Sequence, residues 1–334
     1  MFIELLSNYS LFLIKTLTVL ISILLIISFI VNSKKSDRSG SIEIKNVNKE
    51  LDSIEENIKK NILTKSDFKK FIKAKKKSNK KLEKRLFVID FKGNIRASEI
   101  VSLRREVSGV ILSCKKGDEV LLRLENSGGT VHEHGLAASQ LKRIKDKKIP
   151  LTICVDKVAA SGGYMMACVA NKIIASPFAI IGSIGVLAQV PNFNKLLKDK
   201  GINFEQHTAG NYKRTVTMFG ENTDKDREKL NEQLEDIHVL FKNFITSQRK
   251  NVDIEKVATG EYWYGENALS LNLIDEVMTS DEYILAMREK FAITHIKYKP
   301  IKTFSDKISK ISSSFTNKAI GSLEQKNHDK NIFK

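Results

Sequence analysis

The stretch Leu151-Thr152-Ile153-Cys154-Val155-Asp156-Lys157-Val158-Ala159-Ala160-Ser161-Gly162-Gly163-Tyr164-Met165-Met166 decides the fold. Leu151 to Val155 is apolar and short, as a buried strand is, and the run through Met165, Met166 and Val169 reads as a helix. The small-residue turn Ala159 to Tyr164 joins them. A serine entering a helix at its first turn sits where backbone N–H groups have no intrahelical partner, and small neighbours let a carbonyl approach that backbone. Such geometry suits acyl transfer, which makes Ser161 a candidate nucleophile. The same residues also fit a plain N-cap serine followed by glycines that pack a helix on a sheet.

Upstream, Leu86-Phe87-Val88-Ile89 predicts a buried strand, Ile100, Leu103 and Val107 lie at helical spacing, and Glu119 to Leu124 predicts a second strand. The turn Asn126-Ser127-Gly128-Gly129 and a helix from about Val131 to Lys145 lead into Leu151. Strand and helix alternating in this order predict an α/β fold with right-handed crossovers and a mostly parallel sheet.

Downstream, Lys172 to Ala175 predicts a short strand, and Ile180 to Val186 is an apolar turn holding Gly182 and Gly185. Phe193 to Lys200 reads as a helix, Phe204 to His207 as an edge strand, and Asp224 to Lys250 as a long core helix with Leu230, Leu234, Ile237, Leu240, Phe241 and Phe244 on one side. The aromatic run Tyr262-Trp263-Tyr264 fits either a substrate groove or ordinary packing.

The N-terminus reads differently. Leu11 to Val31 is almost continuously apolar, and Thr16 to Ser33 carries no charge, which predicts a transmembrane helix with Lys15 near one end. The run is longer than a usual signal core, and no Ala-x-Ala cleavage site follows it, so an uncleaved anchor is expected. Lys34, Lys35, Arg38, Lys45 and Lys49 follow the span, and by the positive-inside rule they would hold the remainder of the chain in the cytoplasm. From about Lys34 to Lys84 the chain is polar and Lys-rich, with Leu51, Ile54, Ile58 and Ile62 at helical spacing, and reads as a juxtamembrane helix and linker that anionic lipid could attract. Four segments result: a membrane anchor over 1–33, a basic extension over 34–85, a folded domain over 86–297 and a basic, flexible tail over 298–334.

With 334 residues and 42% hydrophobic content, the chain can bury a real core. The net charge of +17 gathers in the Lys59–Arg85 stretch and the tail, while acids and bases alternate between them. That is the pattern of solvated flanks, so nucleic acid is not an expected partner. Cys114, Cys154 and Cys168 are widely spaced, and neither a zinc site nor a disulfide framework is expected.

Taken together, Asn126-Ser127-Gly128-Gly129, Ala159 to Tyr164, Gly182-Ser183-Ile184-Gly185-Val186 and Gly210-Asn211-Tyr212-Lys213 resemble, in that order, the motifs of the S49 peptidase family. This is the signal peptide peptidase A group, and the basic stretch after the anchor is most similar to its SohB branch. Asn126-Ser127 departs from the Ser-Pro that many relatives carry before the two glycines. The resemblance implies a crotonase-like fold shared with the Clp protease and a membrane-anchored serine endopeptidase that needs no cofactor or metal. It implies Ser161 as nucleophile, Lys213 as base, Ser183 orienting the lysine amine, and backbone donors of Gly129 and Gly162 as the oxyanion hole. No histidine lies between His134 and His207, where a Clp-type base would follow the serine. His132 and His134 read as surface or packing residues.

Family members can share the serine and lysine between adjacent subunits. A single Ser-Gly-Gly-Tyr block therefore implies a homo-oligomer acting on peptides or membrane-associated polypeptides, in the cell inner membrane with the protease domain periplasmic, against the charge rule. Two other readings compete. Acyl-CoA chemistry on the same fold would need a CoA pocket and no base at Lys213, and a non-catalytic membrane scaffold would have no use for a deprotonated lysine.

Overall fold

A computed structural model of the protein describes residues 2–33, 40–78, 82–95, 97 and 99–300. Contacts divide the chain into two units, 1–41 with 299–334, and 42–298.

In the first unit, α1 (Phe2–Ser33) is helical throughout the stretch expected to span a membrane. Its side chains are described at 8–23 and 26, and among the described residues no helix is long and apolar enough to cross a membrane. The structure thus supplies the helix and not the span. The tail from 301 onward lies outside the described residues.

The second unit starts with β1 (Ser41–Asn46), α2 (Val47–Ile62) and α3 (Lys65–Ser78), residues that the sequence reading gives to the juxtamembrane extension. Strand β2 (Arg85–Lys92), α4 (Ile100–Ser113), β3 (Glu119–Glu125), α5 (Val131–Asp146) and β4 (Leu151–Val155) follow as expected. Next come β5 (Val158–Ala160), α6 (Gly162–Ala167), β6 (Lys172–Ala175), β7 (Ile180–Gly182), α7 (Asn194–Asp199) and α8 (Asp224–Gln248). Helix α9 (Ile254–Val257), β8 (Tyr262–Tyr264), α10 (Gly265–Ser270), β9 (Glu276–Val277), α11 (Ser280–Met287) and β10 (Ala292–Lys299) complete it.

The main sheet has seven strands in the order β1-β10-β2-β3-β4-β6-β9, parallel from β10 through to β9. Both of its faces are covered, which is why β4 is buried at all five positions. Phe87, Ile89, Leu122 and Ile153 face a large core shared with α4, α5, α6 and α8. Leu86, Val88, Leu121 and Cys154 face a smaller one closed by Val47 and Leu51 of α2 and by Tyr283 and Ile284 of α11. Cys154 and Cys168 are buried as small apolar groups, and burial pushes the Cys168 thiol up to about 12. A second sheet, β5-β7-β8, carries the strand that leads into Ser161.

Two expectations need correction, and one stretch left open gains a structure. Phe204 to His207 is not a strand but part of an exposed excursion, in which the Phe204 ring packs 5.7 Å from that of Phe219. The aromatic run at 262–264 is strand β8, antiparallel to β7. Helix α8 is a core helix only near its C-terminal end, where Phe241 and Ile245 are buried, whereas Leu240 is 68% exposed.

On the face of the smaller core, Asp90 receives Arg123 Nε at 2.6 Å and lies 2.9 Å from His295 Nε2. Burial alone would raise the Asp90 carboxyl, but hydrogen bonds from His295 and Arg123, helped by their charge, outweigh it and hold the group well below the usual carboxylate range. A depressed folded-state value stabilises above the unfolded pKa of about 3.9 and is lost as pH falls through the folded value. Asp90→Asn is therefore expected to cost about 1 kcal/mol at pH 7, a figure discounted for solvent screening of a partly exposed carboxylate. The gap to wild type should narrow below about pH 4, as denaturant midpoints measured across pH would show.

Candidate active site

The site assembles where parallel strands end, the place an open α/β sheet usually leaves for a ligand. Strand β3 runs out into Asn126-Ser127-Gly128-Gly129. Strand β5 lies beside that end: Asn126 N–H donates to the Val158 carbonyl oxygen at 2.9 Å, and Ala160 N–H to that of Asn126 at 3.1 Å. Strand β7 pairs with β5 in parallel register, with Ala160 opposite Gly182. Ser161 and Ser183 each follow one member of this pair, so both leave the ladder at the same end.

Ser161 has φ 52° and ψ −120°, a left-handed conformation rare for a residue with a Cβ. Such a backbone costs about 1 to 3 kcal/mol and persists only where its surroundings enforce it. Ser161 N–H donates to the Gly182 carbonyl oxygen at 2.7 Å, and the Ser161 carbonyl oxygen accepts Met165 N–H at 3.0 Å to start α6. Although Ser161 stands at the N-cap, its side chain makes no capping hydrogen bond, so the plain capping role is absent. Ser183 shares the left-handed conformation, φ 50°, and its N–H donates to the Glu261 carbonyl oxygen at 2.6 Å.

The turn after β3 approaches Ser161 closely. Gly128 has φ 93°, and a Cβ there would lie 2.7 Å from the Ser161 Cβ, while one at Gly129 would lie 2.0 Å from the Ile95 carbonyl oxygen. Among the described residues neither the Gly129 nor the Gly162 N–H has an acceptor. Gly162 opens α6, where an amide has no intrahelical partner by construction. The half-exposed hydroxyl of Ser161 thus has unengaged backbone donors at its side, on a turn and on a helix N-terminus.

Lys213 is not brought to this cluster. It lies in the exposed stretch between β7 and α8, with its N–H bonded to the Gly210 carbonyl oxygen at 3.1 Å. Among the described residues its amine makes no hydrogen bond or ion pair, and the Ser161 and Ser183 hydroxyls make no side-chain hydrogen bond. The same stretch exposes Leu187 (76%), Leu196, Ile202, Phe204, Tyr212 and Phe219.

His134, read from sequence as a surface or packing residue, is fully buried behind the glycine turn and bonded to Asn126. The available signal was its place in the helix that opens straight after Gly128-Gly129. His132 is exposed.

Residues 143–294 match the family model described as Peptidase family S49, and residues 4–141 match Peptidase family S49 N-terminal. The chain is 49% identical over 300 residues to a protein called "Probable protease SohB" in Buchnera aphidicola subsp. Schlechtendalia chinensis, covering 84% of this chain and 98% of the relative. It is 43% identical over 327 residues to one of the same name in Haemophilus influenzae, covering 92% and 93%. A third, in Buchnera aphidicola subsp. Schizaphis graminum, is 49% identical over 312 residues, covering 88% and 90%.

Proposed function

The chain belongs to peptidase family S49, and from that premise we propose that it is a membrane-anchored serine endopeptidase on a crotonase-like fold. Ser161 is its nucleophile and Lys213 of a neighbouring copy its base. One observation carries the reading: Ser161 is held in a left-handed conformation beside the amides of Gly129 and Gly162, and among the described residues neither its hydroxyl nor either amide has a hydrogen-bond partner. In the reaction the Ser161 oxygen attacks the substrate carbonyl, the lysine amine takes its proton, and the two amides hydrogen-bond the developing oxyanion. The lysine then returns the proton to the leaving amine, and water repeats the sequence on the acyl-enzyme. Ser183, adjacent to Ser161 by strand register, orients the amine.

A lysine serves as base near neutral pH only when burial destabilises its ammonium form. In the single chain Lys213 is exposed, on a stretch rich in uncovered apolar side chains, which favours assembly of copies that would bury both. Helix α1 is the membrane anchor, supported by the uncharged apolar run over 16–33. The protease domain is periplasmic, and its substrates are peptides or membrane-associated polypeptides.

Two measurements test this reading. The protein in isolated membranes is expected to resist extraction at alkaline pH, and release into the supernatant would remove the anchor. Alkaline phosphatase fused after Lys334 is expected to be active, and signal from a cytoplasmic reporter alone would reverse the orientation.

A further inference from the structure

Behind the candidate oxyanion site one buried imidazole touches both segments that bear its donors. His134 lies in the first turns of α5 and has no exposed surface. Its Nδ1 is 2.9 Å from the Thr130 carbonyl oxygen, and its Nε2 is 3.0 Å from Asn126 Oδ1. A carbonyl oxygen can only accept, so a bond to Thr130 requires the ring proton on Nδ1. Asn126 Oδ1 is identified as the oxygen because it receives the Gly128 N–H at 2.7 Å. Both partners are acceptors, so a neutral ring hydrogen-bonds one of Asn126 and Thr130 and contacts the other, and either way it stands against the turn at both ends with Gly129 between them. On its other side it meets α6, where a Cβ at Gly162 would stand 2.4 Å from the His134 Cγ and 2.6 Å from Cδ2.

We propose that His134 is a positioning residue that fixes the Gly129 and Gly162 amides relative to each other and to Ser161, by bonding the first segment and acting as a stop for the second. The proposal rests on the reading of Ser161 as nucleophile. Stability alone is a poor explanation for this polar group of residues. Asn126 is buried, among the described residues its Nδ2 has no partner, and an orphaned buried donor is destabilising. An apolar filling of the same volume would avoid that cost. What it would not do is set the angle of a glycine turn whose backbone is otherwise permissive. Donors that stabilise charge in the transition state must be in place before charge develops, and small displacements are felt in turnover more than in substrate binding.

The test compares His134→Leu, His134→Gln and His134→Asn in the full-length, detergent-purified protein. The readouts are kcat and KM on a fluorogenic peptide, the rate of Ser161 labelling by a fluorophosphonate probe, and thermal midpoints. His134→Leu removes the ring's hydrogen bonding, and its kcat is expected to fall about ten- to a hundredfold with KM changed by less than about threefold. His134→Gln can reach Asn126 and should recover most of that loss, while the shorter His134→Asn should not, leaving a gap of about tenfold between two amides of like polarity. That gap keeps the test decisive should His134→Leu fail to fold. Equal kcat in the Gln and Asn variants, or wild-type kcat in a folded His134→Leu, would overturn the proposal. Ser161→Ala is run alongside. If it still labels and turns over, the nucleophile assignment has failed, whereas a dead Ser161→Ala with indifferent His134 variants removes the positioning role alone.

Discussion

Ser161→Ala is expected to lower peptide hydrolysis by on the order of 10⁴-fold or more, with the fold and the assembly unchanged. The size follows from chemistry. Without the hydroxyl there is no acyl-enzyme, and the two amides alone can only assist attack by water. Retention of fold follows from the site: the side chain makes no capping bond, and alanine keeps the same backbone through the same Ser161 N–H to Gly182 contact. Ser161→Gly offers a second readout. Glycine adopts the left-handed conformation without steric cost, so this variant should be equally inactive yet no less stable than Ser161→Ala in thermal melts. A folded Ser161→Ala with wild-type activity would place the chemistry elsewhere.

Lys213→Ala is expected to lose activity by on the order of 10³-fold or more while the single chain still folds, because Lys213 is exposed there and among the described residues its amine makes no hydrogen bond or ion pair. Lys213→Arg should be as inactive, since a guanidinium keeps its charge and cannot take the serine proton. A positively charged residue needed only to attract substrate would tolerate arginine, so the pair of variants separates proton transfer from electrostatics. Near wild-type activity in a folded Lys213→Arg would contradict the assignment.

The central sheet was legible because its strands are buried on both faces. Leu86 to Ile89, Glu119 to Leu124 and Leu151 to Val155 are near-continuous apolar runs, which sequence patterns reveal easily. The edge strand β1 and its neighbour β10 were not. Strand β10 carries Thr294, His295, Lys297 and Lys299 among its apolar residues, and β1 is a short exposed Ser-Ile-Glu-Ile-Lys-Asn, so neither stands out from a solvated helix or loop. Phe204 to His207 holds a single apolar residue, Phe204, which packs on Phe219 in an excursion that adds no ladder to either sheet. Helix α8 has an apolar stripe from Leu230 onward, yet it begins at that excursion and reaches the core only near Phe241.

The site shows the same division. Ser161, Gly162 and Gly129 fall on turns at the ends of buried strands, and the register of β5 with β7 adds Ser183 to them. The count of residues from Ser161 to Lys213 carries no such geometry, because the chain between β7 and α8 leaves the sheet and does not bring the amine back. His134 was hidden for another reason. Periodicity identifies which residues face a core, and it does not tell a histidine that fills space from one that bonds the turn before it.

The most direct test of the account mixes two dead proteins. Ser161→Ala and Lys213→Ala chains, co-expressed in equal amounts and purified as mixed oligomers, are each inactive alone. If the serine of one copy works with the lysine of the next, about one site in four draws both intact residues, and on the order of a quarter of the wild-type rate should return. Mixed oligomers that remain as inactive as either parent would contradict a dyad shared between copies.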